Sequence, residues 1–150
     1  MKIATKAHKG QTRWGGAPYI THPLRVSKLA GHIAANMSNA GRLARSDVTI
    51  CEIVGVAHDI EEDTSVTAKD LSEQGVTQGQ LFILKKLNKH NFDSYRDMIC
   101  AIRFHKLASI VKYADITDNM YDLEGKKTMK DKYSLALLLL DERWNIKEYL

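Results

Sequence analysis

The sequence predicts an all-α chain folded as a single domain over residues 1–150, and three observations lead there. Apolar residues recur at helical spacing in one segment after another. No stretch alternates apolar and polar residues as a half-buried strand would, and no internal repeat shows. The length of 150 residues suits one domain, and 44% hydrophobic residues are enough to bury a core without disulfide staples.

The elements follow in order. Residues 2–9 read as a short helix ended by Gly10. Residues 11–23 read as a loop, because Gly15, Gly16, Pro18 and Pro23 interrupt any regular element. That loop also carries Arg13, Trp14, Tyr19, Thr21 and His22, groups that grip anions or stack on bases. A helix is predicted from Pro23 to about Met37, with Pro early in the helix and Leu24, Val26, Leu29, Ile33 and Ala34 as its apolar face. After a link at 39–45, Ser46 is a plausible N-cap, with Asp47 in the first turn, for a helix ending at His58-Asp59. Thr67 caps a short helix at 68–74, with Gly75 just beyond it. Residues 78–87 and 94–104 read as two more helices, separated by the polar stretch 88–93. A helix at 107–122 carries Ile110, Val111, Ala114 and Met120 and closes near Gly125. The last helix, 130–149, has apolar residues crowded enough to be largely buried.

Composition bounds the function. The charged share is 27% and the net charge +4, which favours an anionic partner only weakly. Lysines cluster at Lys85, Lys86 and Lys89 and again over 126–132, and the reading preferred is a solvated basic face, with nucleic acid an unlikely partner. No leader resembles a signal peptide, and no apolar run reaches the roughly 18 residues of a membrane span. The run at 135–140 is followed at once by Asp141, Glu142 and Arg143. Cys51 and Cys100 sit inside apolar helical patterns, which points to packed thiols in a reducing cytoplasm rather than to zinc ligands.

The richest stretch is residues 57–64, where His58, Asp59, Glu61, Glu62 and Asp63 follow the apolar run Ile50, Ile53, Val54, Ala57. A neutral imidazole beside an ionised carboxylate is a ready pair of ligands for a divalent metal. Further carboxylates around it could hold or deprotonate a bound water. Taken alone, His58-Asp59 is more often an acidic, solvated helix end than a ligand pair. Two other segments carry matching groups. His22 closes the Gly/Pro loop, and Asp115 sits beside the core-facing Val111 and Ala114, where an unpaired carboxylate would be costly. A cation resolves that cost, and Lys112, three residues before, offers another way. Two imidazoles and two carboxylates suit manganese, iron or zinc better than calcium. Asn119, one turn beyond Asp115, could touch whatever the metal holds.

These segments carry a resemblance. His8 to Arg13, Gly16 to Pro23, His58-Asp59 with Glu62-Asp63-Thr64, and Lys112 to Asn119 stand in one order. Together they closely resemble the hydrolase domain of the RelA/SpoT homologues, within the HD-domain phosphohydrolases. The match is nearest to the small stand-alone alarmone hydrolases, since no synthetase or regulatory domain is attached. The resemblance implies a mostly helical HD-domain fold with one divalent metal, usually manganese, on His22, His58, Asp59 and Asp115. It implies removal of pyrophosphate from the 3′ position of guanosine tetra- or pentaphosphate. Residues matching Glu62 and Asp63 would position or activate the attacking water, Arg13 would pack against the base, and Asn119 would contact the sugar.

The chain departs from that pattern beside the expected nucleotide pocket. Trp14 stands where a second basic residue often follows, removing a phosphate-binding charge and adding a stacking surface, so Trp14 joins Arg13 and Asn119 as a candidate substrate contact. Asp118, Tyr121 and Asp122 also differ. Two alternatives therefore stay open: an HD phosphohydrolase of another nucleotide (an adenosine alarmone or a phosphorylated dinucleotide), and an idle nucleotide-sensing module. The intact Glu62-Asp63 pair argues against idleness.

Overall fold

In the computed structural model, which describes residues 2–13, 15–123 and 126–150, the chain is helical throughout. Among the described residues the only β pairing is an isolated antiparallel bridge between Thr12 and Pro18, inside the Gly/Pro loop. The first helix, α1 (Lys2–Ala7), buries Ala4 and gives way to Gly10, whose φ of +84° is open to glycine at no steric cost.

Helix α2 (Thr21–Asn39) begins two residues before the predicted start. Pro23 is its third residue, within the first turn, where an N–H would have no partner inside the helix. The Pro18 carbonyl anchors the start, accepting from the Thr21 N–H at 3.1 Å and the Thr21 hydroxyl at 2.8 Å. His22 is therefore part of a helix rather than the end of a loop. Helix α3 (Arg45–Ala57) is capped differently from the prediction. Ala44 is the N-cap, and Ser46 lies inside the first turn. The capping contact comes from Asp47, whose carboxylate accepts the Ala44 N–H at 3.0 Å. Helices α2 and α3 pack with their backbones nearly touching at Gly55, where a Cβ would stand 2.8 Å from the Ser27 Cα.

Helix α3 stops at Ala57, His58 and Asp59 bridge a break, and the one-turn helix α4 (Ile60–Asp63) resumes the path. Helices α5 (Ala68–Glu73) and α6 (Gln78–Leu87) each start with reciprocal caps, Thr67 with Asp70 and Thr77 with Gln80. A single 3-10 turn, Lys89–Asn91, lies in the polar connection before α7 (Tyr95–Ile102), which Ser94 caps. Helix α8 (Lys106–Tyr121) is the centre of the fold, packing on α2, α3 and α9 (Lys127–Trp144). Surrounded in this way, it buries Asp115 and Asp118 along with Ile110, Val111, Ala114 and Ile116. The predicted close of α8 at Gly125 lies outside the described residues.

The last helix corrects the sequence reading twice. It ends at Trp144, because Asn145 adopts the left-handed region at φ +52°, and a 3-10 turn (Ile146–Tyr149) follows. It is also not largely buried: only Ala136 and Leu140 are, while Leu135 and Leu138 are 58% and 67% exposed. A run of consecutive apolar residues wraps all round a helix, and the neighbouring helices cover only one stripe. Cys51 is buried, Cys100 half-buried, and both thiols are free. No helix of the described residues is long and apolar enough to cross a membrane.

Candidate metal centre

Three separate parts of the chain bring the candidate ligands together. His22 comes from the first turn of α2, His58 and Asp59 from the break after α3, and Asp115 from the middle of α8. Ligand atoms of His22, His58 and Asp115 all lie within 4.8 Å of one another, and all three residues are buried. Asp59 adds a fourth from the side, its Oδ2 standing 3.0 Å from His58 Nε2 and 3.5 Å from His22 Nε2. Asp115 Oδ1 is 3.2 Å from His22 Nε2 and 3.5 Å from His58 Nε2.

The imidazoles are aimed by their far nitrogens. His58 Nδ1 donates to the Gly55 carbonyl at 2.8 Å, so in the neutral ring, the form that takes a metal, Nε2 presents its lone pair to the cluster. That Nε2 is buried and makes no directed hydrogen bond, even with the Asp59 oxygen beside it. An orphaned imidazole nitrogen among carboxylate oxygens is the donor set a divalent transition metal takes, so the residues fit such an ion. His22 Nδ1 meets Asp118 Oδ2 at 2.7 Å, and Asp118 in turn accepts from Arg25 Nε and Nη2 at 2.6 and 3.0 Å.

The electrostatics show a site that asks for positive charge. Burial alone would lower the His22 pKa, but hydrogen bonds to Asp115, Asp118 and Asp59 push it up to about 9. His58 is likewise raised, against its burial, by the charge of Asp59 and its contact with Asp115. Burial would raise both aspartates, yet Asp59 is held below the usual carboxylate range by His58 and Asp115 by Lys112.

The cluster opens on a cleft of about 600 Å³, lined among others by Arg13, Tyr19, Glu62, Asp63, Lys89, Lys112, Asn119 and Lys132. Glu62 and Asp63, read from the sequence as water-handling carboxylates, thus share a space with the candidate ligands. Glu62 is clamped by Lys89, whose ammonium pairs with Oε1 and whose backbone N–H donates to Oε2 at 3.1 Å. The Tyr19 hydroxyl lies 2.7 Å from Asp59 Oδ2 and 2.9 Å from Asp63 Oδ2. Asn119 donates to Asp115 Oδ1 at 2.6 Å and accepts from Arg13 at 3.0 Å. Arg13 also donates through Nε to Asp122 at 2.7 Å, so its guanidinium is engaged by side chains at the cleft mouth. Trp14 lies outside the described residues. His8 holds the loop: it is buried, and Nδ1 donates to Gln11, which itself donates to the Asp63 carbonyl.

Sequence reasoning passed over Arg25, gave Tyr19 and Lys89 no contact with the acidic groups they meet, and read Asp118 only as a departure from the family pattern. A signal existed for two of them. Arg25 follows His22 by three residues and Asp118 follows Asp115 by three, so each lies one helical turn from a candidate ligand.

Fold and site together define an all-helical domain built around a buried histidine–aspartate centre suited to a divalent ion. The HD-domain family matches residues 19–120, and the chain belongs to that family. It is 30% identical over 131 residues to a guanosine-3′,5′-bis(diphosphate) 3′-pyrophosphohydrolase of Haemophilus influenzae, and 27% identical over 131 residues to the bifunctional (p)ppGpp synthase/hydrolase SpoT of Escherichia coli K12. Each match takes in 81% of this chain but only 18% and 17% of those longer proteins. A solved structure of a metazoan SpoT ortholog, described as hydrolysing ppGpp, has the same fold, with a TM-score of 0.67 at 18% identity. That likeness covers 99% of this chain and 93% of the other.

Proposed function

We propose that the chain is a metal-dependent phosphohydrolase that removes the 3′-pyrophosphate of guanosine 3′,5′-bis(diphosphate)-type alarmones, in the cytoplasm and in the service of a stringent response. The observation that carries this is the meeting of His22, His58, Asp59 and Asp115 beside a cleft lined also by Glu62, Asp63 and several cationic side chains. The hydrolase and synthase names borne by the relatives support the substrate class.

The residues divide the work as follows. His22, His58, Asp59 and Asp115 would hold the divalent metal, manganese by the resemblance, which when bound polarises the phosphoryl group and acidifies a water. Glu62 accepts the proton of the attacking water, and Lys89 fixes the direction of that carboxylate by gripping both of its oxygens. Asp63, tied through Tyr19 to Asp59, keeps the water on line with the 3′-phosphorus. Lys112 and Lys132 offer charge to the phosphates from the cleft wall. Arg13 and Asn119 take the base and sugar. The bond between the 3′ oxygen and its phosphorus breaks, leaving a 3′-hydroxyl and releasing pyrophosphate.

Incubating the purified chain with guanosine tetraphosphate and manganese tests this. Pyrophosphate and a guanosine 5′-diphosphate are the expected products. The hold of Asp122 on Arg13 favours a second reading, an HD hydrolase of another nucleotide, because it alters the face offered to the base. Turnover of adenosine or dinucleotide substrates only would select that alternative. No turnover of any nucleotide, with metal bound, would leave a sensing module.

A further inference from the structure

Asp118 is a carboxylate only 6% exposed, and it is absent from the lining of the cleft. A buried, ionised carboxylate without a partner is costly, so a residue of this kind is held for a reason. Its two partners are His22, on the side away from the candidate ion, and Arg25, whose side chain is 51% exposed. Arg25 follows His22 by three residues on α2, so both reach Asp118 from one helix face.

We infer that Asp118 and Arg25 form a positioning pair for His22, which sets the tautomer and the ligand strength of that one imidazole. The inference rests on the metal-centre reading given above. A neutral imidazole has one N–H and one lone pair. With Nδ1–H donated to Asp118 at 2.7 Å, the lone pair must sit on Nε2, which faces Asp59 and Asp115. The other imidazole is aimed by a backbone carbonyl, an uncharged acceptor, at 2.8 Å from His58 Nδ1. A carboxylate acceptor transfers more electron density to the ring, so His22 is the stronger donor of the two. Arg25 is fitted to hold that carboxylate in place. Its Nε and Nη2 reach both oxygens at 2.6 and 3.0 Å, a fork that a lysine cannot reproduce.

Manganese titration of the full chain, followed by paramagnetic resonance and repeated with cobalt for its visible spectrum, tests the pairing. Asp118→Asn should weaken manganese binding by roughly 10–100-fold and change the cobalt bands, because His22 loses its charged acceptor. Arg25→Gln should weaken binding less, with Arg25→Lys between it and the parent. The Asp118→Asn/Arg25→Gln double variant should bind no more weakly than Asp118→Asn alone, since the arginine acts only through the carboxylate. A merely structural role would give additive losses and unaltered cobalt bands, and either result overturns the inference. Should Asp118→Asn fail to fold, Arg25→Gln with parental affinity and spectrum overturns it equally. A parent chain that binds no manganese or cobalt would bring down the metal centre itself, and this inference with it.

Discussion

Lys112 and Asp115 meet one turn apart on α8, Nζ to Oδ2 at 2.7 Å, while Oδ1 of the same carboxylate faces His22 and His58. The sequence offers Asp115 as either an ion-pair partner of Lys112 or a metal ligand. The structure places one oxygen in each arrangement. Lys112 is mostly buried, so removing it leaves a carboxylate in the core short of one cation. Lys112→Met should destabilise the metal-free chain by about 3–5 kcal/mol in urea unfolding. Parental stability would show that the two histidines already satisfy Asp115.

Metal should stabilise the fold, because the candidate ligands come from three separate parts of the chain that only folding brings together. At 100 times its dissociation constant, manganese should add about 2.7 kcal/mol, read as a rise in melting temperature. His58→Ala removes the orphaned nitrogen and should abolish the rise. A rise of the same size in His58→Ala would place the ion elsewhere.

Glu62→Gln keeps the shape of the side chain and removes its ability to take a proton. Turnover should fall by about 10²–10⁴-fold with manganese stoichiometry unchanged. Activity near the parent's would shift the role to Asp63.

The two thiols should differ in reactivity. Burial, with the nearby charges of Asp47 and Glu52, pushes the Cys51 thiol up to about 12. At pH 8 only about one molecule in ten thousand carries that thiolate. A disulfide reagent should therefore label one thiol per native chain, Cys100, and both after denaturation. Rapid native labelling of two would mean that α3 opens readily.

Local signals account for what the sequence made legible. The Thr67 start and the bounds of α6 follow from a cap and from spacing within a few residues. The misplaced α3 cap had the same local scale, but two acceptors competed, and Asp47 reaching back to Ala44 prevailed over Ser46. The exposure of Leu135 and Leu138 depends on how many neighbours α9 has, which periodicity does not report. The candidate ligands were legible because their residue types are rare together. Their supports were less so: the turn spacing puts Arg25 and Asp118 beside candidate ligands but does not pair them across 93 positions, and nothing local joins Lys89 to Glu62 across 27.

Tyr19 gives the most selective test of how the two carboxylate groups are coupled. One hydroxyl hydrogen serves both Asp59 Oδ2 at 2.7 Å and Asp63 Oδ2 at 2.9 Å, so it can satisfy only one at a time. Its ring packs on His8, with centroids 4.7 Å apart, and edge-on to His22 at 5.9 Å. Phenylalanine keeps those ring contacts, so Tyr19→Phe isolates the hydroxyl. Losing a hydrogen bond to a charged group costs about 1.5–3 kcal/mol, which stability measurements should register in part. If the hydroxyl also holds Asp63 on the attacking water, kcat should fall at least about tenfold, equivalent to 1.36 kcal/mol of barrier, with KM and bound manganese little changed. A variant that loses manganese instead would show that the hydroxyl serves Asp59 as a ligand, and a variant with parental kcat would remove Asp63 from the alignment of the water.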